Sequence, residues 1–221
     1  MTQVRSAAEL AALIGERGIL SAFQSRVVGF SAQEYVDPAF WFPETGEGFW
    51  EWKGPAIRLS GCAYGRLFSS RPAFVMPALY RELANYRRDG YDFDARYEEG
   101  LARYADKQVY DTLAAHGSLL SSELGRLCPL PGDRKSYADI LTRLQMQGYV
   151  LVSNFEYQIG KNGQPYGWGV ARYETPEHYF GAEFSEHVYD RTPEESGALV
   201  LARLGELLTD VPERTRRRLL G

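Results

Sequence analysis

The chain has 221 residues, a formal charge of -4 and 44% hydrophobic residues, enough to bury a core in one large or two small domains. No apolar run approaches the roughly 20 residues that span a bilayer, and the start of the chain has no signal-peptide core, so a soluble cytoplasmic protein without a membrane partner is expected. The acidic balance argues against strong general affinity for polyanions, and Cys62 and Cys128, with three histidines, have neither disulfide-framework nor zinc spacing, so no metal or other cofactor is expected.

Residues 1–105 are rich in aromatic residues, glycine and proline, and read as an N-terminal mixed α/β region. A first helix is expected over residues 6–16, where Leu10, Leu13 and Ile14 share a face. Residues 49–53 alternate, with Trp50 and Trp52 on one side and Glu51 and Lys53 on the other, which reads as a strand. Pro55 and Gly61 then punctuate further short strands at residues 57–60 and 64–68, and residues 73–76 make a fourth, giving a small antiparallel sheet. Pro77 suits the first position of a helix carrying Leu79, Leu83 and Tyr86 and ending near Gly90. The string from Asn85 to Asp94 reads as a helix end and loop.

From residue 106 to 185 the order is helix, helix, helix and two-stranded ribbon, that of a winged helix-turn-helix. Asp106 is the expected cap of the first helix, in which Val109 and Leu113 share a face and after which Gly117 supplies the left-handed stop. The second starts at Ser121 or Ser122, turns Leu124 and Leu127 inward, and ends before Pro129 and Pro131. The third follows Asp133 or Ser136 and stops at Gly148, with Tyr137, Ile140, Leu141 and Leu144 as its apolar stripe and Lys135, Asp139, Thr142 and Met146 opposite. Strands at residues 149–157 and 168–173 flank the turn Gly160-Lys161-Asn162-Gly163, the candidate wing. Residues 186–221 are expected to hold a docking or dimerising helix at residues 193–208, too rich in leucine to stay exposed, and a basic tail around Arg214 to Arg218. The fold class expected is therefore α+β: a winged helix between an aromatic-rich N-terminal region and a C-terminal docking helix.

Charge supports a polyanion partner only locally. Across residues 134–172, Arg134, Lys135, Arg143, Lys161 and Arg172 outnumber Asp139 and Glu156, where a winged helix would meet phosphates. The leading expectation is double-stranded DNA as partner, contacted by Lys135, Thr142, Arg143 and Lys161, with Trp50, Trp52, Arg87 and Arg88 completing a groove by stacking and phosphate clamping. A second reading is a glycosylase-like hydrolase in which Glu51, with Lys53 beside it, does acid-base work and a tryptophan stacks on a base. A third is a winged helix used only for protein contact. None of the Walker, dinucleotide-binding or nucleophile-elbow signatures is present.

The strings Trp50-Glu51-Trp52-Lys53-Gly54-Pro55, Cys62-Ala63-Tyr64-Gly65, Asn85 to Arg96, Tyr166-Gly167-Trp168-Gly169 and Thr175-Pro176-Glu177-His178 resemble the AlkZ-related family of bacterial proteins. That family is named after winged-helix DNA glycosylases that unhook interstrand crosslinks, so the resemblance implies winged-helix DNA binding and a link to DNA repair. Those glycosylases use a Gln-x-Gln or Gln-x-Asp element and are larger, with tandem winged-helix units. The Gln-x-Gln here is Gln145-Met146-Gln147, which the helix wheel places at the end of the third helix as surface rather than active site.

Overall fold

The computed structural model describes residues 3–25, 27–44, 46–130, 134–159 and 165–221. Helix α1 (Ala7–Arg17) starts where the Ser6 hydroxyl accepts the Glu9 N–H and buries Leu10 and Ile14. Strand β1 (Ile19–Ser21) follows directly, after Gly18 at φ 72° has turned the chain.

Residues 49–53 are not a strand, and residues 57–60 are not one either: both belong to helix α2 (Phe49–Ser60). Phe49, Trp52, Ala56 and Ile57 are its buried face, an i, i+3, i+7, i+8 spacing that the Trp-Glu-Trp-Lys alternation hides. The Glu51 carboxylate accepts the Gly48 N–H at 2.9 Å and so closes the first turn. Gly54 lets the helix press on the next layer, since a Cβ there would sit 3.0 Å from Asn154 Oδ1 and 3.4 Å from the Phe155 carbonyl.

Strands β2 (Ala63–Phe68) and β3 (Arg71–Val75) form a hairpin and lead into α3 (Pro77–Arg88), which has its proline at the first turn. Short α4 (Phe93–Glu98) is capped by Asp92, and α5 (Tyr104–His116) stops at Gly117. Asp106 is not the cap of α5 but lies in its first turn, where its buried carboxylate takes Arg143 at 2.8 and 2.5 Å. Then come β4 (Ser118–Leu120), α6 (Ser121–Leu127), α7 (Arg134–Met146), β5 (Leu151–Ile159) and β6 (Pro165–Glu174). Leu124 is buried as expected, but Leu127 is 44% exposed, because a seven-residue helix presents only one inward row. The turn at residues 160–164 and Asp133 lie outside the described residues.

The chain closes with α8 (Pro176–Phe180), α9 (Ala182–His187), α10 (Pro193–Leu207) and α11 (Glu213–Leu220). Helix α10 docks on α3: Gly197 lies so close to Tyr86 that a Cβ would be 2.6 Å from its ring. Ser196 donates to Glu82 at 2.7 Å and receives the Asn85 amide at 2.9 Å. Leu204 and Leu208 are buried by this docking. The basic run of residues 214–218 is helical, and the Leu220 carbonyl at its end accepts two bonds from Arg87.

Six strands make one antiparallel sheet in the order β1-β3-β2-β5-β6-β4, with the Tyr64 to Val152 register joining the two hairpins. The fold is thus mixed α and β. Period-two alternation sends Phe74 into one core cluster with Leu10, Phe49 and Trp52, and sends Ala73 and Val75 into another with Leu83, Val200 and Leu204. A third cluster, of Phe93, Val109, Leu113, Leu124, Leu144 and Tyr149, lies among α4 to α7. Among the described residues, no helix is long and apolar enough to cross a membrane.

Candidate functional site

Where α7 ends against β2, two hollows share a wall. A groove of about 1080 Å³ is bordered by Tyr104 and Gln108 of α5, Ser121 and Ser122 of α6, Tyr137, Thr142 and Gln145 of α7, Arg66 of β2 and Tyr173 of β6. A smaller cavity of about 270 Å³ lies between α2 and the sheet, lined by Phe23, Trp50, Lys53, Tyr64, Phe155 and others. Arg66, Gln145 and Tyr173 line both, so the two form one crevice across the sheet. A concave, mostly apolar site with a few convergent polar groups is the usual form of a ligand site.

Gln145 is the hinge of that wall. It is 3% exposed, so it is interior rather than helix surface: its Oε1 accepts the Arg66 N–H at 3.0 Å and its Nε2 donates to the Leu141 carbonyl at 2.9 Å. Met146 meets the turn between β2 and β3, where its sulfur accepts the Ser70 N–H. The last turn of α7 is therefore covered by the first half of the chain. Asp139 and Ala138, a turn or two earlier, are exposed, and Thr142 is half-buried on the groove.

Lys53 is the unusual group in the small cavity. It is 8% exposed, and its Nζ lies 4.6 Å from the Trp50 ring centroid and 4.3 Å from that of Phe155. Among the described residues, no carboxylate stands within ion-pair distance of it and it donates no hydrogen bond. Burial pulls its pKa down to about 8, partly offset by the Glu51 charge on the same helix.

The other sequence candidates fall in different places. Glu51 is half-buried at the start of α2 and serves there as a cap. Trp50 belongs to an aromatic ledge with Phe23, Trp41, Phe42 and Phe49, of which Phe42 is 73% exposed. Trp52 is buried against Phe40 and takes no part in the crevice. Arg88 is 1% exposed and bonded to the Gly148 carbonyl, Glu177 and Tyr189, while Arg87 binds the Leu220 carbonyl and stacks on Phe68, so neither guanidinium lines the crevice. Arg143 is paired with Asp106, and Arg172 with Glu156 at 2.6 Å, so both carry partner charges. Lys161 and the side chain of Lys135 lie outside the described residues.

The model of the family described as AlkZ related matches residues 4–221. The chain belongs to the AlkZ-related family. Among solved structures, the Streptomyces sahachiroi DNA glycosylase AlkZ superposes on this AlkZ-related chain with a TM-score of 0.50 at 13% sequence identity, covering 100% of this chain. The chain spans only 60% of that protein's length. No curated protein matches it in sequence. At this identity the likeness is one of fold.

Arg66, Tyr173 and Gln108 are marked by nothing local in the sequence of this AlkZ-related protein: they converge with Tyr64 only when β2, β6 and α5 are brought together. Gly65, inside the Cys62-Ala63-Tyr64-Gly65 string, holds one such contact in place. A Cβ at Gly65 would lie 2.9 Å from Gln145 Oε1. Gly65→Ala is expected to push the amide off the Arg66 N–H and lower stability by about 1–2 kcal/mol, the usual penalty for a buried polar group that loses its partner. Denaturant unfolding with an unchanged m-value checks this.

Proposed function

We propose that this AlkZ-related protein binds double-stranded DNA through a winged helix formed by α5, α6, α7 and the strands β4 to β6, and that it serves DNA repair by holding a displaced nucleotide in the crevice. The observation that carries the reading is the joined crevice itself: a groove and a cavity sharing Arg66, Gln145 and Tyr173, set directly beside α6 and α7. Its aromatic walls suit base stacking, and Arg66 is an exposed cation at the junction.

Element order supports the winged helix. Helix α5 leads to β4, α6 and α7 precede the β5–β6 hairpin, and β4 pairs antiparallel with β6, which puts the three strands in the order β5-β6-β4. In that arrangement α7 is the element that enters the major groove and the β5–β6 turn is the wing. The fold shared with a DNA glycosylase adds support. The coverage of the last turn of α7 limits groove contact to its first turns, around Ala138, Asp139 and Thr142.

Salt-titrated fluorescence anisotropy on a duplex tests this. Binding is expected at about 50 mM salt and to weaken steeply by about 200 mM, because it proceeds by release of counterions from phosphate. Arg66→Glu and Lys161→Glu are each expected to weaken it about tenfold or more, whereas a duplex that shows no binding at low salt ends the proposal.

A further inference from the structure

A lysine without an ion pair or hydrogen bond among the described residues, 8% exposed on the wall of a cavity, is costly to keep if its role is structural. Buried ammonium groups are ordinarily paired, and long cationic side chains otherwise extend their charged ends into water. Lys53 does neither, and instead lies against the faces of Trp50 and Phe155. We propose that Lys53 is an amine nucleophile that condenses with the aldehyde carbon of a ring-opened abasic deoxyribose seated in the small cavity. The inference rests on the nucleic-acid reading above and adds the reacting atom and the substrate class.

Size and lining fit that substrate. At about 270 Å³ the cavity is just under the range of roughly 300–1,000 Å³ that holds drug-sized ligands, so it suits a sugar rather than a whole nucleotide. Phe23 and Trp50 offer flat faces at its wall, and Arg66, shared with the larger groove, is placed to take a flanking phosphate.

The step balances without a cofactor. The neutral Nζ lone pair attacks C1′ of the open sugar, and the carbonyl oxygen leaves as water with one proton from the amine and one from solvent. What remains is a protonated imine joining Lys53 to the strand. Burial has already prepared the amine: with a pKa of about 8, roughly a quarter of it is neutral at pH 7.5, against about a thousandth for an ordinary lysine. The titratable and charged groups about it are Glu51 on its own helix, Tyr64 and Arg66 on β2, and Tyr173 on β6. Burial pushes both tyrosine hydroxyls upward, which leaves Lys53 as the group that titrates near pH 8.

Borohydride trapping decides it, since hydride delivered to the imine carbon makes the bond permanent. The protein is incubated with a duplex carrying one abasic site and, in parallel, with a duplex carrying a tetrahydrofuran analogue that has no aldehyde. A covalent complex is expected with the first duplex alone, mapped by peptide mass to Lys53 among the four lysines of the chain, and forming faster as pH rises through about 8. Lys53→Arg and Lys53→Met, each checked by thermal melting, are expected to reduce it at least about 20-fold. Binding of both duplexes with no complex, or a complex at another lysine, overturns the inference and leaves the DNA reading standing. If neither duplex binds, the DNA reading fails, and 2-deoxyribose 5-phosphate with cyanoborohydride judges the amine by itself: selective labelling of Lys53 supports it and equal labelling of all lysines overturns it.

Discussion

Arg88→Met is expected to destabilise the protein by about 3–5 kcal/mol, the usual loss when one partner of a buried ion pair is removed. The Arg88 guanidinium donates to the Gly148 carbonyl at 2.7 and 3.2 Å, to Glu177 at 2.7 Å and to the Tyr189 hydroxyl at 3.1 Å. It also lies 4.6 Å from the Tyr149 ring centroid and 5.4 Å from that of Phe184. One side chain therefore ties α3 to the turn between α7 and β5, to α8 and to the segment before α10. Methionine fills much of the volume but leaves the Gly148 carbonyl and the Glu177 carboxylate without their cation.

Position makes the loss larger than that of one contact. Gly148, at φ 79°, fits tightly over α3, where a Cβ would stand 3.0 Å from the Ala84 Cα, and its conformation fixes where α7 ends and β5 begins. Loosening it loosens Gln145 three residues earlier. Arg88→Lys is expected to lose about 1–3 kcal/mol, because an ammonium cannot serve the carbonyl and the carboxylate with a planar fork. In a chain of this length the methionine variant should melt roughly 6–20 °C lower, as read by calorimetry, and a drop under about 2 °C would contradict the assignment. Arg5→Ala, at an exposed residue whose side chain bonds Asp37 and Gln3, is the control, with an expected change within about 0.5 kcal/mol.

The elements that were legible in the sequence are those fixed by local chemistry. Ser6 before α1, Pro77 at the start of α3, and the glycines after α5 and α7 each act within one turn of chain, so their effect shows in a short window. The ribbon from β5 to β6 shows for the same reason. Helix α2 does not show: the four residues Trp50 to Lys53, alternating tryptophan and charge, satisfy period two as well as period 3.6, and Gly54 with Pro55 argues locally against a helix. What decides is tertiary, since Gly54 permits close packing on β5 and Phe49, Trp52 and Ile57 share a buried face only as a helix. Strand β4 has three residues and exists by pairing with β6.

The candidate site was legible in part. Trp50 and Lys53 border the small cavity, whereas Trp52 is core. Arg87 and Arg88 stand beside aromatic residues in the sequence, as a phosphate clamp would, yet aromatic groups also stack on a buried guanidinium, and sequence cannot separate the two. Gln145 looked like helix surface because the wheel ignores what lies across the helix; β2 covers it, and Arg66 supplies its hydrogen-bond donor. The crevice thus joins residues far apart in the chain.

Lys53→Met is expected to stabilise the protein, the reverse of the common outcome for a buried residue. The folded pKa of about 8 stands below the ordinary 10.5, a gap of two to three units at about 1.4 kcal/mol each, so the charged amine costs the native state about 3 kcal/mol at neutral pH. The cation-π contacts with Trp50 and Phe155 are already contained in that balance, and a methionine keeps the stem and makes sulfur-aromatic contacts of its own. The net gain expected is about 1–3 kcal/mol, or roughly 2–12 °C in Tm. Its pH dependence separates this cause from simple repacking. Below pH 8 the amine is protonated in both folded and unfolded chains and the penalty is complete. Between pH 8 and 10.5 the unfolded chain holds a proton that the folded chain has released, so wild-type stability rises with pH, and above 10.5 both are neutral and the penalty is gone. The advantage of Lys53→Met should accordingly be largest at pH 6–7 and fade toward pH 10, measured as the difference between urea unfolding curves at each pH. A constant difference across that window would mean that the ammonium is well solvated in the native protein. A residue whose removal strengthens the fold is kept for something other than stability, and the cavity that Lys53 faces is where that use is to be sought.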